Sequence, residues 1–194
     1  MLLLKFADTE EGATSNTTHG SDTFFAHLTD NTDNFTYPLT RKDTKEERQE
    51  VRGLYLTRNT AWPSKAFEFV IYLEGQLVGF TNIYLSNAET KTAVVGLVIH
   101  HTHWRRGLGL HATMVTTQIA FDIGMDNVEI GTMKSNSGMR KILSKMGEEK
   151  EHIVQVPNIG VVAEVCLFIH RSDWTSSMEL RTDQTIEPSR ALTQ

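Results

Sequence analysis

The sequence predicts a layered α/β (α+β) domain, with a central β-sheet flanked by helices. Three observations carry that expectation. Runs rich in Val, Ile, Phe and Tyr alternate along the chain with segments of helical apolar spacing. Glycine and asparagine punctuate the joins between these segments. With 194 residues, 39% of them hydrophobic and 22% charged, the chain can bury a sizeable core in one domain.

The elements follow in order. "LLLKFA" reads as a first strand, and residues 9–22 as a polar, turn-rich loop. A short helix is expected around "TFFAHLTD". A longer one is expected over residues 44–58, where Thr44 and Glu47 make a capping box and Val51, Leu54, Tyr55 and Arg58 repeat at helical spacing. "FEFVIYLEGQLVGFTNIYL" reads as a hairpin turning at Glu74-Gly75. "KTAVVGLVIH" is nearly all apolar, as expected of a central strand covered on both faces. Leu108, Ala112, Val115, Ile119 and Ile123 form one helical stripe, with Gly124 placed to end it. "NVEIGTM" is a further strand. "SNSGMRKILSKMG" is a short helix with Ser135 or Asn136 at its start and Gly147 at its end, and "VVAEVCLFIH" is a last strand. The expected organisation is one domain over residues 1–174 and a polar, frayed tail over 175–194.

Bulk properties narrow the function classes. A net charge of -5 speaks against a nucleic-acid partner. "MLLLKF" is too short an apolar run for a signal peptide, and no stretch is long enough to span a bilayer, so a cytoplasmic protein without membrane attachment is expected. The sequons at Asn16 and Asn34 carry little meaning without a secretory signal. The one cysteine, Cys166, lies in an apolar run and reads as a buried, inert thiol.

The stretch "HTHWRRGLGLHA", residues 101–112, is the strongest chemical signal. Its "RRGLG" lies between a buried strand and a helix. The amides that open a helix lack partners within it, and the helix dipole makes that end positive. A diphosphate would satisfy those amides, with Arg105 and Arg106 adding charge. The same residues are equally compatible with a plain strand-to-helix turn bearing two solvated arginines. No Gly-Lys-Ser/Thr follows, so this is not a Walker loop, and a third glycine is missing for a dinucleotide fingerprint.

Residues 94–147, from "VVGLVIH" to "LSKMG", resemble the core of the Gcn5-related N-acetyltransferase (GNAT) superfamily, in particular the branch of ribosomal-protein N-terminal acetyltransferases (RimJ/RimL-like). Gly107 and Gly109 match the two small positions of the family's Q/R-x-x-G-x-G/A loop. "DNFTYPLT" and the hairpin with "LVGFTNIY" resemble the preceding parts, and the similarity extends over about residues 24–174. The resemblance implies a mixed sheet whose central strands, "VVGLVIH" and "VEIGTM", splay apart. Acetyl-CoA as acyl donor would lie in the gap, with its pantetheine on the edge around Val98 and Ile99. Its diphosphate would rest on Arg105, Arg106, Gly107, Leu108, Gly109 and Leu110, and Asn136 would bond the cofactor or shape the site. An amine would attack the thioester directly, the protein positioning it and polarising the carbonyl.

Several family features are replaced. Trp104 stands at the usual Gln/Arg position and His101 at the usual proline. Met139 and Leu143 stand where many relatives carry a Tyr or Ser that protonates the thiolate, and the central strand lacks an early acidic residue. Glu68, His101 and His103 are the candidates for proton transfer. His-x-His at 101 and 103 is also metal-ligand spacing, but no third ligand is evident, so no metal is expected. Phe35, Tyr37, Trp62 and Tyr84 are candidate acceptor-pocket residues, each also readable as packing. The expected acceptor is a small-molecule amine or a protein N-terminus, and the expected assembly a monomer or homodimer. Two alternatives stand beside acyl transfer: a repurposed GNAT-fold enzyme that does not use acetyl-CoA, and a non-catalytic CoA-binding module.

Overall fold

The computed structural model describes residues 2–6, 66–156 and 160–174. The loop at 9–22, the helices expected near residues 23–30 and over 44–58, the residues Phe35, Tyr37 and Trp62, and the tail after Trp174 lie outside the described residues.

The described chain forms a seven-stranded sheet in the order β1-β2-β3-β4-β5-β7-β6. The strands are β1 (Leu2–Phe6), β2 (Ala66–Leu73), β3 (Gln76–Asn87), β4 (Thr92–Ile99), β5 (Asn127–Met133), β6 (Glu149–Val156) and β7 (Gly160–His170). The helices are α1 (Leu108–Asp122) and α2 (Ser137–Met146). The β2–β3 hairpin turns where expected, with Glu74 at φ 52° and Gly75 at φ 82°. Two successive left-handed residues match the right-handed twist of the flanking strands. All neighbouring strands pair antiparallel except β4 and β5, which run parallel and are joined by the crossover helix α1.

The main core lies between the sheet and the two helices. Val95, Ile130 and Leu167 of the sheet meet Met114, Phe121 and Leu143 of the helices. β4 is the middle strand, as its apolar sequence requires, with Ala93, Val95 and Ile99 buried and Val94, Leu97 and Val98 half-buried. The expected stripe on α1 is only part of what that helix buries. Thr113, Thr116 and Thr117 are fully enclosed as well. Thr113 and Thr116 turn their hydroxyls back to the carbonyls of Gly109 and Ala112, at 2.7 and 2.8 Å.

Strand β6 is absent from the sequence expectation. Its "EKEHIVQV" is polar because it forms the sheet's edge, pairing on one side only, with β7. Charged side chains are usual at such an edge, and they remove the apolar run by which a strand is recognised. The end of β7 is tied back to α1. Arg171 donates through Nε to the Met125 carbonyl at 3.1 Å and through Nη2 to the Phe121 carbonyl, and Trp174 Nε1 reaches Gln118 Oε1 at 2.6 Å. A cation on the last carbonyls of a helix complements its dipole.

Candidate active site

The central feature is the place where the sheet stops pairing. β4 and β5 are in register only over Thr92–Val94 against Asn127–Glu129. Beyond those three pairs the strands part, leaving an edge at residues 95–99 on β4 and at 130–133 on β5. Which β4 groups face that gap follows from the ladder. His100 N–H donates to the Val78 carbonyl at 2.9 Å, and a Cβ on Gly79 would stand 2.5 Å from the Val98 carbonyl oxygen. Backbone groups alternate sides along a strand, so Val98 is turned toward β3, and Val95, Leu97 and Ile99 are turned toward the gap. Of the two edge residues expected from sequence, Ile99 faces the gap and Val98 does not. The Ile99 carbonyl already has a donor, the indole Nε1 of Trp104 at 2.6 Å.

The turn after β4 brings the histidines together. His101–His103 form a 3-10 turn. The rings of His100 and His101 stack with centroids 4.3 Å apart, and His101 meets Trp104 edge to face at 6.4 Å. His103 is buried, and its Nδ1 accepts from Arg106 Nη1 at 3.2 Å. Because a guanidinium only donates, the His103 ring is neutral in this contact and carries its proton on Nε2. Burial, with the Arg106 and His100 charges adding, lowers its pKa below the usual imidazole range. His103 therefore holds Arg106 against the loop through Nδ1.

The loop delivers its glycines to two different tasks. Gly107 sits at φ 81° directly before α1, with open space around it. No side chain caps the helix, its first turn has no acidic residue, and the first intrahelical bond is His111 N–H to Gly107 O at 3.2 Å. The amides of Leu108, Gly109 and Leu110 thus precede the helical ladder at the mouth of the gap. Gly109 serves packing: a Cβ there would lie 2.8 Å from Ile142 Cδ1 of α2 and 3.7 Å from Leu97 Cδ2. Arg105 holds a left-handed backbone at φ 59° and, like Arg106, is exposed. His111 is half-buried in the first helical turn, and burial lowers its pKa.

The remaining candidates fall as follows. Asn136 caps α2, its Oδ1 accepting from Met139 N–H at 3.1 Å and its Nδ2 donating to Thr132 Oγ1 at 3.0 Å. It ties α2 to the end of β5. Leu143 is fully buried and Met139 half-buried in the core, and neither side chain carries a transferable proton. Glu68 stands in register with Asn82 on β3, two strands from the gap. Tyr84 is exposed, in register with Val94 at the last paired position before the splay. Cys166 is buried, and its thiol pKa is pushed up to about 12 by burial first, then by the neighbouring carboxylates of Glu129 and Glu164, in keeping with an unreactive thiol.

Two contacts beneath the gap are not foreshadowed by any sequence motif. Asn82 Oδ1 accepts from Gly96 N–H at 2.9 Å, and a Cβ at Gly96 would collide with it at 2.4 Å. Thr81 Oγ1 donates to the Gly96 carbonyl at 2.7 Å and lies 3.0 Å from Thr116 Oγ1 of α1. Together they pin the middle of β4 to its neighbours where β5 departs. Gly96 inside an apolar strand is the one available signal of such a close approach.

A mixed sheet with parted central strands, and an uncapped helix N-terminus at the opening, is the frame that the resemblance of residues 94–147 implies. Residues 17–149 match the acetyltransferase (GNAT) domain, and the chain belongs to that family. Solved structures agree on the fold. Spermidine N-acetyltransferase from Vibrio cholerae, in complex with CoA and spermine, superposes with a TM-score of 0.69 at 16% identity, covering 89% of this chain and 97% of its own. Ribosomal-protein-S5-alanine acetyltransferase from Vibrio fischeri gives 0.66 at 14% identity, covering 90% and 95%. The aminoglycoside acetyltransferase AAC(6')-Ib in complex with coenzyme A gives 0.65 at 12% identity, covering 90% and 97%. No curated protein sequence matches the chain. By family the protein is an acetyltransferase. Among the described residues no helix is long and apolar enough to cross a membrane.

Proposed function

We propose that this chain is an acetyl-CoA-dependent N-acetyltransferase that moves an acetyl group to the amine of a small molecule or of a protein N-terminus. The observation that carries this reading is the splay of β4 from β5 after three paired residues, with the uncapped N-terminus of α1 at its mouth. The pantetheine amides would bond the edge groups of Val95, Leu97 and Ile99. The diphosphate would take the amides of Gly107 to Leu110, with Arg105 and Arg106 supplying positive charge. The amine attacks the thioester carbon, the thiolate leaves, and the amine's extra proton passes to water or to His101 at the strand end. His103, bonded to Arg106 through Nδ1, orders the loop. The spermidine and ribosomal-protein acetyltransferases among the structural neighbours support an amine acceptor of either kind, and with it the RimJ/RimL-like branch as one placement. We place the activity in a single domain over 1–174, acting in the cytoplasm as a monomer or homodimer.

Two observations favour a second reading, a repurposed member of the fold. The Ile99 carbonyl is held by Trp104, and the position of the family's proton donor is a buried leucine, Leu143. Thermal unfolding with acetyl-CoA and with free CoA separates the two. A ligand at about 100 times its Kd adds about 2.7 kcal/mol, which raises the midpoint by several degrees. A rise with both compounds is the expected result. No rise at millimolar ligand would overturn CoA binding and leave the repurposed fold.

A further inference from the structure

We propose that His152, Glu164 and Cys166 form a binding site for a zinc-type divalent cation on the sheet face opposite α1 and α2. The site is independent of the cleft. His152 on β6 is directly across from Glu164 on β7, and Cys166 lies two residues farther along β7, so all three belong to one face of the sheet. Leu167 and Val165, on the other face, belong to the core packed under the helices.

The geometry is that of a ligand set. His152 Nε2 lies 3.6 Å from Glu164 Oε2 and 3.6 Å from Cys166 Sγ, and the three atoms are all within 4.8 Å of one another. A tetrahedral zinc ion bound at about 2.0–2.3 Å holds nitrogen, oxygen and sulfur ligands roughly 3.3–3.6 Å apart. Both separations from His152 are therefore those expected around one ion, and the third, Glu164 to Cys166, lies within 4.8 Å. Gly131 makes the space. It is in register with Cys166, and a Cβ there would press to 3.0 Å on Sγ and stand 3.9 Å from Glu164 Oε2.

The chemistry matches as well. A neutral imidazole, a carboxylate and a thiolate form a mixed N/O/S set suited to zinc and poorly suited to magnesium or calcium, which take oxygen. On ligation the thiol proton leaves to water and a metal–sulfur bond replaces the S–H bond. Glu129 also interacts with the thiol, and a water would complete the fourth corner. Lys150, in register with Cys166 on β6, is exposed.

Cobalt(II) titration of the full chain tests this directly. The chain has one cysteine, so a thiolate-to-cobalt charge-transfer band can arise only from Cys166. The expected result is a saturable near-ultraviolet charge-transfer band with visible tetrahedral bands at one equivalent, displaced by zinc. Cys166→Ser should abolish the charge-transfer band. His152→Ala, at a side chain exposed enough to be replaced without disturbing the fold, and Glu164→Gln should each weaken binding by about tenfold or more. Absence of the charge-transfer band in the wild type overturns the site, including the case of visible bands alone, which would report an ion held without the thiolate. So does a band whose affinity neither His152→Ala nor Glu164→Gln alters.

Discussion

At the scale of single residues, His103 shows how burial redirects a side chain that sequence marks as chemical. The spacing of His101 and His103 suggests two imidazoles available for proton transfer. The 3-10 turn instead half-buries His101 against His100 and Trp104 and sends His103 into the protein, against Arg106. Protonating His103 in place would set a cation beside a guanidinium in a poorly solvated position, which is why its pKa is lowered. The unfolded chain, with an ordinary imidazole pKa of about 6.5, binds a proton that the folded state resists. This contribution to stability is complete above about pH 6.5 and is lost as pH falls below it toward the lower folded pKa. His103→Gln keeps an acceptor for Arg106 and removes the titration. Its thermal midpoint should fall less steeply than that of the wild type between about pH 6.5 and 5, with His111 supplying the slope that remains. Identical slopes would show that His103 titrates as freely when folded as when unfolded. Sequence exposes the histidines but not their enclosure, because a three-residue turn has no periodicity from which a facing can be read.

At the scale of elements, the cleft depends on how closely α1 and α2 approach. Sequence locates both helices, since their apolar spacing and their flanking Gly107, Asn136 and Gly147 are local signals. It expects Gly109 at the ligand, and the structure adds a second reason for a glycine there, the close approach of Ile142 on α2. That contact joins residues on different helices and leaves no trace in either segment alone. β6 was illegible for a related reason: its edge position makes it polar, and its partner β7 comes later in the chain. Gly109→Ala should therefore change stability by less than about 1 kcal/mol, because the helix gains from losing a glycine while the new methyl presses on Cδ1, the movable end of Ile142. Ile142→Val deletes the one atom, Cδ1, that the new methyl meets at 2.8 Å. On its own it should cost about 0.5–1.5 kcal/mol or less. Combined with Gly109→Ala it should relieve that contact, a favourable coupling of about 0.5 kcal/mol or more in denaturant unfolding. Additive effects would show that Ile142 does not limit the space at Gly109.

At the scale of the whole molecule, the strand order, the crossover and the two-helix layer serve one geometric result, an opening in the middle of a sheet. Its existence was legible only through resemblance to a family, because no residue pattern marks where β4 stops bonding β5. Physical causes are visible once the fold is known. Asn82 and Thr81 commit Gly96 to the β3 side, and α1 fills the space beneath while β5 turns toward β7. What no family pattern supplies is Trp104. It replaces the usual polar residue at the loop's first position and spends its indole N–H on the Ile99 carbonyl, the last acceptor along the edge that an extended ligand would follow. If CoA lies along this edge, one of its amides competes with the indole for that oxygen. Trp104→Phe keeps an aromatic ring beside His101 and removes the donor. A hydrogen bond gained net is worth about 0.5–1.5 kcal/mol, so CoA affinity measured by calorimetry should tighten by roughly two- to tenfold in this variant. Weaker binding would mean that the indole itself contacts the ligand. Unchanged affinity would mean that the ligand ends short of Ile99, with Trp104 serving to close the sheet at that point.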